Sequence, residues 1–222
     1  DNLATGHRNI AIGYAALDAA DGAEDDNIAI GTDALGNLNH DSSTRNIAIG
    51  NYAADGIGTV GPSVDNIFMG YDAGGGTWTT ANSNYNVGIG SYVMDAAMNG
   101  ALQNTAVGYA ALSALTTGNQ NTIVGNGAAV ALTTGSYNTI LGSEAADSMT
   151  LGDYNVAIGY TAMGDAGTTD GIDKNICIGA YAGDGFGNEA VEGAVVIGYA
   201  AGRGFEDEAD GTIAIGFFAG SL

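Results

Sequence analysis

Basic residues are almost missing from this chain: 4 lysines and arginines stand against 25 aspartates and glutamates, a formal charge of −21 over 222 residues. So few cations cannot neutralise a phosphate backbone, which argues against nucleic acid as a partner. Cysteine occurs once, excluding an intrachain disulfide framework and a thiolate zinc cluster. Proline also occurs once and histidine twice. No apolar run approaches the ~18 residues of a membrane-spanning helix. Glycine is what the chain has in quantity, 38 residues of it, without the every-third-residue period of collagen. An apolar content of 45% is too high for a disordered acidic chain.

The glycines belong to a repeat. NIAIG stands at 9–13, 27–31 and 46–50, and degenerate copies end at Gly70, Gly90, Gly108, Gly125, Gly142, Gly159, Gly179, Gly198 and Gly216. Successive glycines are 17 to 20 residues apart, and Asn precedes the apolar stretch in ten of the twelve copies. Three residues after the glycine comes alanine in eleven copies, Val93 being the exception, and then Leu, Met, Ala or Gly. The remainder of each copy is Gly, Asp, Asn, Thr and Ser, and it absorbs the variation in length. Asn9 opens the first copy and Gly220 closes the last, so residues 1–222 read as a single repeat domain.

A fixed apolar part with a variable polar part is the pattern of a solenoid coil and its surface loop. Each apolar stretch is short, rich in Ile and Val, and bounded by Asn and Gly. That is strand chemistry, and no window keeps a 3.6-residue period. The prediction is an all-β fold, a parallel β-solenoid or β-roll of about twelve coils of 17 to 20 residues. At ~4.8 Å per coil such a column would be roughly 55–60 Å long.

Side chains alternate across a strand. The third apolar position is always large, as in Ile12, Ile30 and Ile49, and is assigned to the core with the first. The middle position then faces outward: Ala11, Ala29, Ala48, Phe68, Gly88, Ala106, Ile123, Ile140, Ala157, Cys177, Val196 and Ala214. That column is apolar and mostly small, so it is read as an interface with copies of the same chain. The alternative is a flattened coil whose own second strand covers it. Asn before the strand is expected to bond along the column, and the invariant glycines to occupy positive-φ corners. Tyr14, Tyr71, Tyr109, Tyr160 and Tyr199, directly after the glycine, are read as packing.

This pattern resembles two related families. N-x-A-I-G followed by a second short strand is similar to the heads of trimeric autotransporter adhesins, whose three chains wrap one axis as left-handed β-rolls. The longer units NTAVGYAALSALTTGNQ at 104–120 and NTIVGNGAAVALTTGSY at 121–137 resemble repeats of bacteriophage tail fibres and other virion or cell-surface fibres. The resemblance implies a homotrimer in an extracellular, cell-surface or virion setting. Adhesin heads have shorter coils, and no stalk, anchor, leader or self-cleaving carboxy-terminal chaperone is visible. The chain is therefore read as a mature product or a piece of a longer fibre.

No catalytic constellation can be assembled. Neither His7 nor His40 has a serine or cysteine context resembling a catalytic motif, and Cys177 stands where alanine usually does. Clustered loop acids supply oxygen ligands of the kind calcium takes, which makes Asp21, Asp25, Asp26, Asp207 and Asp210 calcium candidates; repulsion between rods is the plainer role. Trp78, between Thr77 and Thr79, is a candidate for stacking on a glycan or for closing a subunit contact. The expectation is a structural, non-enzymatic fibre module with an adhesive or receptor-facing role, without a cofactor and without membrane insertion. Two alternatives stand beside it: a subunit of an end-to-end, head-to-tail filament, and an ice-binding solenoid suggested by Thr105, Thr122 and Thr139.

Overall fold

The computed structural model describes residues 6–58, 61–78, 81–167, 171–187, 190–205 and 209–221. Among them there is no helix, and each coil contributes a strand of three residues. Two compact units are present, one of Asp1–Ala110 with Leu115–Thr117, the other of Ala111–Ala114 with Gly118–Leu222.

In the first unit β1 (Ile10–Ile12), β2 (Ile28–Ile30), β3 (Ile47–Ile49), β4 (Ile67–Met69), β5 (Val87–Ile89) and β6 (Thr105–Val107) pair in parallel, each with the next. Register is in step with the repeat: Ala11 lies opposite Ala29, Ala29 opposite Ala48 and Ala48 opposite Phe68. The second unit repeats this with β7 (Thr122–Val124), β8 (Thr139–Leu141), β9 (Val156–Ile158), β11 (Ile176–Ile178), β13 (Val195–Ile197) and β14 (Ile213–Ile215). Between them, β10 (Ile172–Asp173) and β12 (Val191–Glu192) form a parallel pair of their own. The fold is a parallel β-solenoid, as the repeat predicts.

The corners do not rest on glycine alone. The second and fourth residues after each glycine are left-handed, with φ 61° at Tyr52 and 50° at Ala54, 59° at Tyr92 and 46° at Met94. So is the residue before the Asn, for example Arg45 at 59° and Tyr85 at 62°. Such residues cost about 1–2 kcal/mol each. The alternation turns successive N–H groups to opposite neighbours: Tyr52 donates back to Thr32 at 2.8 Å, and Ala54 forward to Ala73 at 2.8 Å. Hydrogen bonding therefore continues around the corner after the strand has ended. The invariant glycine is fixed by space as well as by φ, since a Cβ on Gly31 would strike the carbonyl oxygen of Gly50.

The asparagines do run along the column. Asn66 donates Nδ2 to Asn46 Oδ1 at 3.1 Å and to the Ser83 carbonyl at 3.0 Å, while its Oδ1 accepts from the Asn86 backbone at 3.0 Å. Asn27, Asn46, Asn66, Asn86 and Asn104 in one unit, and Asn121, Asn138, Asn155 and Asn175 in the other, are all buried. Their amides supply in the interior what water would supply outside.

The strand faces the opposite way from the one expected. Ala29, Ala48, Phe68, Ala106, Ile123, Ile140, Ala157, Cys177 and Val196 are fully buried, Gly88 is buried and Ala214 nearly so; Ala11, on edge strand β1, alone is exposed. Ile12, Ile30 and their equivalents, assigned to the core, face out. The reason is the narrow coil. Its interior also holds the alanine after the turn, the next residue and a Leu, Ile or Met farther on, such as Ala34, Leu35 and Leu38. Little room remains for the middle of the strand. Where that residue is large, the fourth after the glycine is small: a Cβ at Gly74 would stand 2.7 Å from Phe68 Cδ1, and one at Gly202 2.9 Å from Val196 Cγ1. Where it is Ala29 or Ala106, the same place holds the buried Leu35 or Leu112.

Candidate functional site

The outward face of the ladder consists of the first and third strand residues, Ile, Val or Thr followed by Ile, Met, Val or Leu. Even with strands on both sides, Met69 and Ile89 remain 36% and 40% exposed. On the edge strands Ile12 and Ile215 reach 59% and 63%. This is a face of large aliphatic side chains left open to water on an acidic chain.

An aromatic ladder follows it. In the first unit Tyr52, Tyr71, Tyr92 and Tyr109 meet edge to face at 5.7, 5.4 and 5.7 Å. In the second, Tyr160, Tyr181 and Tyr199 do so at 5.4 and 5.9 Å, and Tyr199 stacks on Phe217. Spacings of this kind favour aromatic pairs. The tyrosines directly after the glycine are two of the four in the first ladder and two of the three in the second. The others, Tyr52, Tyr92 and Tyr181, sit one residue later in intervening coils, an alternation the sequence carries once both positions are read together.

Beyond the tyrosines lies an acidic corner. Asp18, Asp33 and Asp55 line a cleft of about 210 Å³ in the first unit, with Gly36, Asn37 and Tyr52. Burial, with Asp72 and Asp33 nearby, raises the Asp55 carboxyl to about 6. Burial likewise raises Asp95 and Asp147. All four bases are engaged elsewhere: Arg8 with Asp26, Arg45 with Asp65, Lys174 with Glu192 and Arg203 with Asp184. Hydrogen bonds from Arg8 and Arg45 hold Asp26 and Asp65 below the usual carboxylate range.

The residues singled out in the sequence are not gathered into one site. Asp25 accepts from the His7 backbone at 2.6 Å, both oxygens of Asp26 are taken by Arg8, and Asp210 accepts from the Glu192 backbone at 2.8 Å. Asp21 is exposed, and Asp207 lies outside the described residues. Among the described residues no three His, Cys, Asp or Glu side chains are placed to hold a metal ion. Trp78 is 2% exposed and packs edge to face on Phe68 at 6.0 Å, which removes it as a stacking platform; Thr79 lies outside the described residues. Cys177 is buried with its thiol pushed up by burial, the character of a small apolar filler. His40 is in a shallow cleft with Asn39 and Asp41.

No protein-family model, curated protein or solved structure matches this chain.

Proposed function

We propose that the chain is a structural, non-enzymatic module of an extracellular or virion fibre, assembled by burying the outward strand faces against copies of itself. One observation carries the reading: the regular, solvent-facing rank of aliphatic side chains on strands that are otherwise closed and hydrogen-bonded. Burying such residues contributes about 25 cal/mol per Å² removed from water, and one patch repeated in every coil gives that gain a fixed register. Acidic loops keep any other approach repulsive. The resemblance of the repeats to tail fibres and adhesin heads favours three chains around an axis and a role in presenting or attaching to a receptor.

Native mass across a concentration series tests this. A closed multiple of the 22.0 kDa chain is expected, reduced to the single chain by Ile49→Lys with Ile158→Lys. A single chain at every concentration would overturn the reading. Growth without limit would replace it with the head-to-tail filament.

The facing of the strand favours a second reading. Thr122 and Thr139 pair in register on the outward face, and Thr105 holds the same strand position in the other unit. Thr, Val and Ile repeated in register on the outward face of a sheet also suit an ice-binding surface. Thermal hysteresis that is abolished by Thr122→Tyr would establish it, and its absence would dismiss it.

A further inference from the structure

The outward strand face has two unlike edges. Three of the four bases stand on one of them: Arg8, Arg45 and Lys174 come immediately before Asn9, Asn46 and Asn175, at the start of their strands. The other edge, formed by the two residues after the glycine, has no base in any coil. It carries the tyrosine ladders and, at the second residue, Asp33, Asp72 and Glu144.

Each of these bases leans one coil forward. Arg8 Nε donates to Asp26 Oδ1 at 2.5 Å, Arg45 Nε to Asp65 Oδ1 at 2.6 Å, and Lys174 Nζ to Glu192. All three side chains are nonetheless more than half exposed. A guanidinium has five N–H donors; Arg8 spends two on Asp26, and Arg45 three on Asp65 and Thr44. The charges therefore sit level with β2, β4 and β13. Across the face at those levels stand Thr32 and Asp33, Tyr71 and Asp72, and Tyr199. In the first unit the coils of β2 and β4 are also those that carry an acid on both edges, Asp26 with Asp33 and Asp65 with Asp72. Among the described residues no hydrogen bond or ion pair engages the Asp33 or Asp72 carboxylate.

We infer that copies of this chain meet edge to opposite edge, with their columns parallel and their coils level, and that Arg8 and Arg45 of one chain bind Asp33 and Asp72 of the next. Each arginine then bridges an acid of its own chain to one of its neighbour, at the two levels where those acids would otherwise repel. Tyr71 of the neighbour lies beside Arg45, and Tyr199 of the neighbour beside Lys174. The chain already shows a guanidinium shared in this way, since Arg203 Nε stands 3.2 Å from Asp184 Oδ2 and its Cζ 5.4 Å from the Tyr181 ring centre; both contacts suit that group. Antiparallel columns would set each edge against its own kind, with Asp33, Asp72 and Glu144 facing acids and no base opposite. Juxtaposed like charges select against that arrangement. The inference rests on the outward face being the contact between chains, and adds its direction and the residues that set it.

Sedimentation of charge-reversed full-length chains across a concentration series tests it, in variants whose circular dichroism matches the parent. Arg45→Glu and Asp72→Arg should each weaken association about tenfold or more, and added salt should weaken that of the parent. Arg45→Glu with Asp72→Arg in one chain should recover most of the affinity. Such recovery must arise between chains, because within a chain Arg45 pairs with Asp65 and not with Asp72. A parent that stays single at every concentration would overturn the fibre reading and this inference together. A parent that associates, with affinity unchanged in Arg45→Glu or not recovered in the paired reversal, would overturn this inference alone.

Discussion

The Phe68 ring fills the space that a side chain at Gly74 would need: a Cβ there would lie 2.7 Å from Phe68 Cδ1. The same ring crowds Gly88, where the distance is 2.8 Å. One large residue in the interior is thus offset by two glycines, one in its own coil and one in the next. Phe68→Ala should leave a cavity and cost about 3–5 kcal/mol. Gly74→Leu alone should also destabilise. The double variant should recover much of the loss, because Leu17 and Leu35 take that position with φ of 54° and 49° beside an alanine. Chemical denaturation of the four proteins gives the coupling energy.

Asn66→Ala should be costly without any change in apolar burial. It removes an acceptor from the Asn86 backbone and donors from Asn46 Oδ1 and the Ser83 carbonyl. With buried polar groups left unsatisfied at about 1–3 kcal/mol each, a loss of roughly 3 kcal/mol is expected in urea unfolding.

Stability should rise as pH falls from 7 toward about 4.5. Asp55 is raised to about 6 in the folded chain from an ordinary 3.8, so the folded state binds more protons across that window. Asp95 and Asp147 act in the same direction. At lower pH the sign reverses. Asp26 and Asp65 are depressed by Arg8 and Arg45, and their contribution is lost as pH falls through their folded values. Thermal unfolding followed by circular dichroism should therefore show a maximum in mildly acidic solution, with a smaller rise in Asp55→Asn.

Trp78 should fluoresce as a buried indole. Its emission should be blue-shifted and weakly quenched by iodide, and soluble glycans should leave it unchanged. Emission at the position of an exposed indole would contradict its packing on Phe68.

The sequence carries the coil length, the parallel register, the glycine corners and the asparagine column, because each repeats at one position in nearly every copy. It misleads on which side of the strand is inside. Alternation has two phases, and small residues at Ala29 and Ala48 fit a tight outer contact as well as a tight interior. The deciding signal is reciprocal size between positions six apart: Ala29 with Leu35, Ala106 with Leu112, Phe68 with Gly74, Cys177 with Gly183. Trp78 misleads for a related reason, since its polar neighbours conceal a ring that turns inward onto Phe68. The acidic cleft was hidden because its aspartates come from three coils, and only the stacked register places Asp18, Asp33 and Asp55 around Gly36.

The outward strand face and its burial between chains are tested together by a single spin label. On a Cys177→Ala background, which installs the residue that half of the coils already use, Ile49→Cys carries one label per chain, so any dipolar coupling must arise between chains. Coupling that fades as unlabelled chain is mixed in is the result expected of a face buried in an assembly. A freely mobile label without coupling at high protein concentration would contradict it.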